Sequence, residues 1–151
     1  MNVNGQYMRT IAFFIILLGT MAANAQKPPV WKVTVNKKKV LEASAEDTIK
    51  NVIQVKKDDL SNNGVFKLDY KEGSDHPSGW MRTIAMIDNN NENMAQRDSA
   101  TAFYMYNKDL LKLLWSRKKI GIYTWATPLD KGVAAAVRIR RYQLCTLVLI
   151  D

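Results

Sequence analysis

Apolar and polar residues alternate along much of this chain with the two-residue period of half-buried β-strands. The alternation is clearest in residues 31–35 (WKVTV) and 65–70 (VFKLDY), where every second side chain is apolar. Other strands are predicted where short apolar or aromatic runs are bounded by turn residues. Strands are thus expected at residues 31–35, from residue 40, and at 51–56, 65–70, 80–88, 101–107, 120–128 and 137–151.

The connections between these strands are predicted from their turn residues. Residues 36–39 (NKKK) make a hairpin tip whose lysines stay solvated. Asn63 and Gly64 suit the positive φ angles of a tight hairpin turn, so we expect the strands on either side of them to pair. Residues 89–99 (NNNENMAQRDS) are too polar to bury and are predicted to form an exposed loop.

One helix is predicted, with Asn107 as its N-cap and the basic residues 117–119 at its end. These three cations complement the negative end of the helix dipole. The apolar stripe of the helix consists of Leu110, Leu111, Leu114 and Trp115.

About eight short strands with one short helix are typical of a two-sheet sandwich. The pattern therefore predicts a mainly β fold, a single antiparallel β-sandwich of immunoglobulin-like or cupredoxin-like type, formed by residues 26–151. The expected role of the helix is a crossover or lid.

The first 25 residues have the parts of a secretory signal peptide. Arg9 precedes an apolar stretch at residues 11–18, and Ala23 and Ala25 give the small-residue pattern read by a signal peptidase. The apolar stretch is shorter than the roughly 20 residues that span a bilayer. Cleavage after Ala25 is predicted, which places a chain with no transmembrane segment in the periplasm or outside the cell.

The whole chain carries a net charge of +8, and the excess is greater in its second half. Residues 26–75 contain 10 basic and 8 acidic groups, whereas residues 76–151 contain 11 basic and 6 acidic groups. A surface that attracts anions is therefore expected mainly in the second half. Export and the lack of any nucleic-acid-binding motif speak against a nucleic-acid partner.

The chain is poor in the side chains that catalysis and metal binding use. His76 is the only histidine and Cys145 the only cysteine, so zinc, blue-copper and haem sites built from several such ligands are excluded, and no cofactor is expected. A nucleophile pair of Cys145 with His76 is opposed by the apolar surroundings of the cysteine. We therefore expect a protein that is not an enzyme.

Arginine and aromatic residues are the side chains suited to ligand binding that this chain has in number. Arginine forks and aromatic faces together suit phosphate, sulfate or carboxylate groups, although strand arginines also point outward by default. The candidate ligand-binding residues are Arg82, Arg138, Arg140, Arg141, Trp80 and Trp125.

The last stretch, VRIRRYQLCTLVLID, raises a question of register. In a regular strand Arg141 would share the side of Val137 and Ile139. A bulge near Arg140 and Arg141, or an inward-drawn Arg141, is therefore expected, with a core strand following from Leu144.

The tail from IYTWATP to VRIRRYQLCTLVL resembles one shared by uncharacterised secreted bacterial proteins of about this length. The resemblance covers about the last thirty residues. It implies an exported bacterial β-sandwich, and it implies no activity and no catalytic residue.

Two functions follow as hypotheses. The first is a non-catalytic exported protein that works through contacts with another protein in the cell envelope or at the surface, using strand edges and aromatic residues. The second is a binding module for an anionic glycan or a lipid headgroup, using the arginine and aromatic candidates named above.

Overall fold

Two sheets face each other across one apolar core. The computed structural model describes residues 26–74 and 76–150, and within them it contains nine strands and three short helices. The predicted signal peptide at residues 1–25 lies outside this part. In chain order the elements are β1 (Val30–Val35), β2 (Lys38–Ala43), β3 (Val52–Lys56), α1 (Lys57–Leu60), β4 (Val65–Lys71), β5 (Trp80–Asp88), β6 (Asn93–Asp98), β7 (Ala102–Tyr106), α2 (Asn107–Arg117), β8 (Lys119–Pro128), α3 (Lys131–Ala136) and β9 (Tyr142–Ile150).

The strand order is β2-β1-β4-β7 in one sheet and β3-β9-β8-β5-β6 in the other. The predicted β-sandwich is confirmed, with one departure from antiparallel pairing: β3 and β9 run parallel. The chain reaches β3 by crossing from the other sheet, so no short hairpin fixes the direction in which β3 pairs.

The two ends of the sandwich differ. At one end α2 lies across the gap between the sheets and buries Leu110 and Leu114 completely. Its last turn is fastened by Arg117, whose Nε lies 3.2 Å from the buried Asp88 carboxylate. At the other end, where β5 begins and β8 ends, the described residues place no helix across the gap. Among the described residues, no helix combines the length and apolarity needed to cross a membrane.

The prediction that residues 89–99 form a loop is wrong. β6 pairs with β5 along the outer edge of the five-stranded sheet. A strand at an edge can expose both its outer backbone and most of its side chains, so its polar composition does not prevent strand formation.

The hairpin predicted at Asn63 and Gly64 is also wrong, because β3 and β4 lie in different sheets. Gly79 is the described glycine with a positive φ, so Gly64 serves another purpose. A Cβ at Gly64 would lie 1.7 Å from Asn36 Oδ1 and 2.7 Å from Asn107 Nδ2. Glycine is required here because side chains occupy the space.

Those side chains belong to a cluster of asparagines at the start of α2. Asn107 is fully buried, and its Nδ2 donates to Asn36 Oδ1 at 2.7 Å and to Asn62 Oδ1 at 2.8 Å. The helix begins with Asn107, so the N-cap is Tyr106 and not Asn107 as predicted. The side-chain amide of Asn107 connects the turn after β1, the turn after α1 and the helix, and therefore it is buried and does not act as a cap.

The terminal strand starts later than predicted. β9 begins at Tyr142, and residues 137–141 have no strand pairing. The register with β8 shifts between Gln143 and Cys145, so the bulge falls at Leu144 rather than near Arg140 and Arg141. Leu144 and Cys145 are both buried as a result, which agrees with the predicted core strand.

Replacing Gly64 with alanine should lower the free energy of unfolding by about 2 kcal/mol, because the new methyl group displaces Asn36 and removes an acceptor from the buried Nδ2 of Asn107. Urea denaturation measures the change. Gly132→Ala is the matched control, since a Cβ there lies 3.2 Å from Asp130 Oδ1 and alanine favours the helix. Equal stability of the two variants would contradict the spatial role of Gly64.

Candidate binding cleft

A cleft of about 500 Å³ opens between the two sheets at their uncovered end. Trp31 and Tyr70 line it from the four-stranded sheet, and Trp80 and Arg82 line it from the five-stranded sheet. These side chains follow the inward parity of their strands: Tyr70 continues the row of Phe66 and Leu68. The cleft is therefore the continuation of the core toward solvent.

Three loops form the rim of this cleft. They contribute residues 44–46 after β2, residues 72–73 and 76–77 after β4, and residues 138–140 before β9. Glu46 fastens two of these loops together, because its Oε1 accepts from the backbone N–H of Gln143 at 2.8 Å and its Oε2 lies 3.2 Å from Arg140. The rim thus carries charge while the walls beneath it are aromatic.

The floor is fixed by a hydrogen bond between the sheets. The indole N–H of Trp31 donates to the carbonyl of Leu144 at 2.9 Å. The Trp31 ring stacks on Tyr70 with centroids 6.4 Å apart and an interplanar angle of 14°. Both rings are nearly buried, so this pair closes the cleft against the apolar core.

Arg82 is a charged side chain on the inner face of a sheet. Its guanidinium makes a two-pronged ion pair with Glu72, through Nε and NH2 at 2.7 Å each. It also lies over the Tyr70 ring at 4.9 Å and donates through NH2 to His76 Nδ1 at 3.3 Å. These contacts satisfy most of the N–H donors of the arginine, which offsets the cost of burying its charge. The charge of Arg82 is largely balanced before any ligand arrives.

The other two arginines of the cleft differ from each other. Arg140 pairs with Glu46 and stacks over Tyr142 at 4.5 Å from the ring centroid. Arg138 is exposed at the rim and makes no ion pair with any residue that the structure describes. Glu72 and Glu46 pair with the other two arginines, so among the described residues of the cleft Arg138 is the arginine without an ion-pair partner.

The structure brings together four of the six residues proposed from sequence, namely Trp80, Arg82, Arg138 and Arg140. Arg141 and Trp125 lie outside the cleft. The Arg141 guanidinium sits 5.3 Å from the centre of the Trp125 ring and donates to Asn91 Oδ1 at 3.0 Å. Ala126 lies opposite Arg82 in the pairing of β5 with β8, so it shares the inward direction of Arg82. Trp125 precedes Ala126 in β8 and therefore points to the outer face of the sheet.

Sequence reasoning found Trp80 but missed the two aromatic residues of the four-stranded sheet, Trp31 and Tyr70, and the acids. The apolar alternation that predicts β1 and β4 already places Trp31, near the start of β1, and Tyr70, near the finish of β4, on the inward side. The alternation alone was sufficient to find these two residues. Glu46, Glu72 and His76 come from loops, and no periodic pattern indicates where a loop side chain points.

The geometry separates the two residues considered as a nucleophile pair. His76 lies in the cleft beside Arg82 and Glu72. Cys145 is packed in the core, where burial raises the pKa of its thiol and keeps the sulfur protonated. A thiolate mechanism has no support in this arrangement.

Comparison of the chain with protein-family models gave no match, and a search of curated proteins found no relative. The functional argument therefore rests on the geometry of the cleft.

Changing Glu72 to glutamine should lower the free energy of unfolding by about 2 kcal/mol, because the Arg82 charge loses its partner inside the sandwich. The double variant Glu72→Gln/Arg82→Met should lose less than the sum of the two single variants. Chemical denaturation of all four proteins gives the coupling. Asp69→Asn, which breaks the exposed pair with Lys67, is the control and should change stability by less than about 0.5 kcal/mol. Additive losses at Glu72 and Arg82 would refute a structural ion pair.

Cys145 should resist iodoacetamide in the folded protein and react fully once the protein is unfolded in urea. Reaction requires an accessible thiolate, and the folded state supplies neither access nor deprotonation. Mass spectrometry of the alkylated protein measures the modified fraction. Rapid modification in native buffer would show that the β9 strand opens readily at the bulge.

Proposed function

We propose that this protein is a non-catalytic, exported binding module whose cleft takes an acidic sugar. The observation that carries the proposal is the convergence of aromatic walls and three arginines in one opening between the sheets. Ligand sites are typically concave, mostly apolar and provided with a few oriented polar groups.

The parts of the cleft match the parts of such a ligand. The ring of Trp80 and that of Tyr142, which is 43% exposed, offer flat faces against which the apolar face of a sugar ring packs. Glu46 and Glu72 each retain acceptor capacity toward hydroxyl groups. Arg138 supplies a charge-assisted hydrogen bond to a carboxylate.

The distribution of charge favours an anion of low charge. Among the described residues that line the cleft, three arginines face two glutamates, so their excess is about one positive charge, which Arg138 provides. A multiply charged phosphate would have to displace Glu46 or Glu72 from its arginine. A single carboxylate on a sugar needs no such rearrangement.

The hypothesis of contacts with an envelope protein through strand edges stays a prediction. Of the four edge strands that the structure describes, β7 exposes the aromatic side chains of Tyr104 and Tyr106. The edge strands β2 and β6 are short and largely polar, with lysine, arginine and acidic side chains exposed along them. Edges of this composition resist pairing with another strand. The cleft therefore supports the second hypothesis better than the edges support the first.

Titration of residues 26–151 with a glucuronic-acid disaccharide should show saturable binding by calorimetry, and the matching glucose disaccharide should bind at least about tenfold more weakly. Arg138→Ser should weaken binding of the acidic sugar about tenfold, and raised salt should weaken it further. Trp80→Ala should also weaken it, through loss of stacking.

Two variants serve as matched controls: Arg141 belongs to the same segment as Arg138, and Trp125 lies in β8, which pairs with the strand of Trp80. Arg141→Ser and Trp125→Ala remove the same side-chain types outside the cleft and should leave the affinity unchanged. Equal losses from Arg141→Ser and Arg138→Ser would show that net charge alone is sensed. Binding of glycerol phosphate in place of the acidic sugar would reassign the cleft to a lipid headgroup, and binding of neither would overturn the proposal.

A further inference from the structure

The covered end of the sandwich carries a second surface, independent of the cleft, which we name the Trp115 patch. It consists of Lys57 from α1, Lys108, Leu111, Lys112 and Trp115 from α2, and Lys118 just after α2. On α2 these positions are three or four residues apart and therefore form one stripe. The opposite stripe, Leu110 and Leu114, is buried, so the patch faces outward.

The centre of the patch is apolar and open. A shallow groove of about 590 Å³ runs between α1 and α2, with Leu60 and Leu111 at its base. Trp115 borders it with 57% of its surface exposed. A tryptophan side chain that is more than half exposed to water lacks much of the stabilising free energy that its burial would release.

Two lysines lie over the indole ring. The Nζ of Lys57 lies 5.2 Å from the ring centroid, and that of Lys118 lies 4.8 Å from it. Lys118 occupies the C-cap of α2 with a positive φ of 62°, a conformation that glycine adopts at lower cost. A lysine is thus present where the backbone alone would favour glycine.

The charge around the patch has one predominant sign. Residues 56–61 and 107–119 contain three acidic side chains and six basic ones besides Arg117, whose charge is compensated by Asp88 and Glu92. The acids are Asp58 and Asp59 on α1 and Asp109 on α2. Asp59 accepts from the backbone N–H of Lys56, and Asp109 pairs with Lys112 at 3.2 Å. The net charge of the two helices and their ends is strongly positive.

We propose that the Trp115 patch binds the surface of a membrane that contains anionic lipids, with the indole at the headgroup level and the lysines against the lipid charges. Tryptophan and lysine together are the residues that settle at this boundary, because each has an apolar body and a polar tip. An acidic protein partner fits less well, since protein interfaces are depleted in lysine and the polybasic attraction to lipid needs no shape match.

The experiment is co-sedimentation of residues 26–151 with vesicles. This range contains both sheets and their shared core, and it omits the apolar residues 11–18, which would themselves bind lipid. Vesicles of phosphatidylglycerol and phosphatidylcholine in equal parts should bind the protein, and vesicles of phosphatidylcholine alone should bind it far more weakly. Equal binding to both vesicles, or binding to neither, overturns the proposal.

Variants test the position of the surface. Lys108→Gln/Lys112→Gln/Lys118→Gly should lower the partition coefficient on the order of a hundredfold, at about fivefold for each lysine. The control Lys27→Gln/Lys71→Gln/Lys131→Gln removes the same charge from exposed lysines at the cleft end and should lower it far less. Equal losses in the two triple variants would show a nonspecific charge effect and overturn the proposal.

Two single variants separate binding from folding. Lys118→Gly should weaken vesicle binding while leaving or raising the thermal midpoint, because glycine relieves the positive φ. Trp115→Ala should weaken binding with little loss of helix signal in circular dichroism, since the ring is mostly exposed. Full vesicle binding by Trp115→Ala would refute the central role of the indole, and retention on polyglutamate without vesicle binding would assign the patch to an acidic protein.

Discussion

The hydrogen bond from the Trp31 indole to the Leu144 carbonyl fixes how the two sheets meet at the uncovered end of the sandwich. An indole N–H buried against an apolar core needs an acceptor, and the neighbouring strand carbonyls of a regular ladder are already bonded. The bulge in β9 makes Leu144 the residue without a partner in the register with β8. The bulge in β9 thereby supplies a hydrogen-bond acceptor to the Trp31 indole of the opposite sheet.

This contact sets a gradient of polarity from the core to the mouth of the cleft. Trp31 stacks on Tyr70, Tyr70 carries the guanidinium of Arg82, and Arg82 is held by Glu72. Each side chain in this series is more polar than the one before it. The Arg82 charge is buried only where it contacts both the aromatic ring of Tyr70 and the carboxylate of Glu72. The same gradient cannot form at the other end, because Leu110 and Leu114 of α2 fill the gap there.

The features of the fold and the cleft that could be predicted from the sequence are those set by residues close together along the chain. Alternation within a strand is local, and it correctly indicates β1 and β4 and the inward direction of Trp31 and Tyr70. The role of Gly64 depends on Asn36 and Asn107, which are far from it in sequence, and so its neighbours alone suggest a hairpin that does not exist. β6 was missed for a related reason, since an edge strand is defined by what lies beside it. Arg141 could be separated from Arg138 and Arg140 only once β9 was known to begin at Tyr142.

The paired charges of the cleft have a consequence for specificity. Arg82 and Arg140 are already engaged by Glu72 and Glu46, so a ligand gains little Coulomb energy from either of them and would pay to break each pair. Their contribution is to hold the rim loops and the Tyr142 ring in fixed positions, which lowers the entropy cost of binding. In the proposed function, Arg138 discriminates by charge and the aromatic walls discriminate by shape. The proposed ligand, with one anionic group at one edge and a flat apolar face beside it, matches this division of roles.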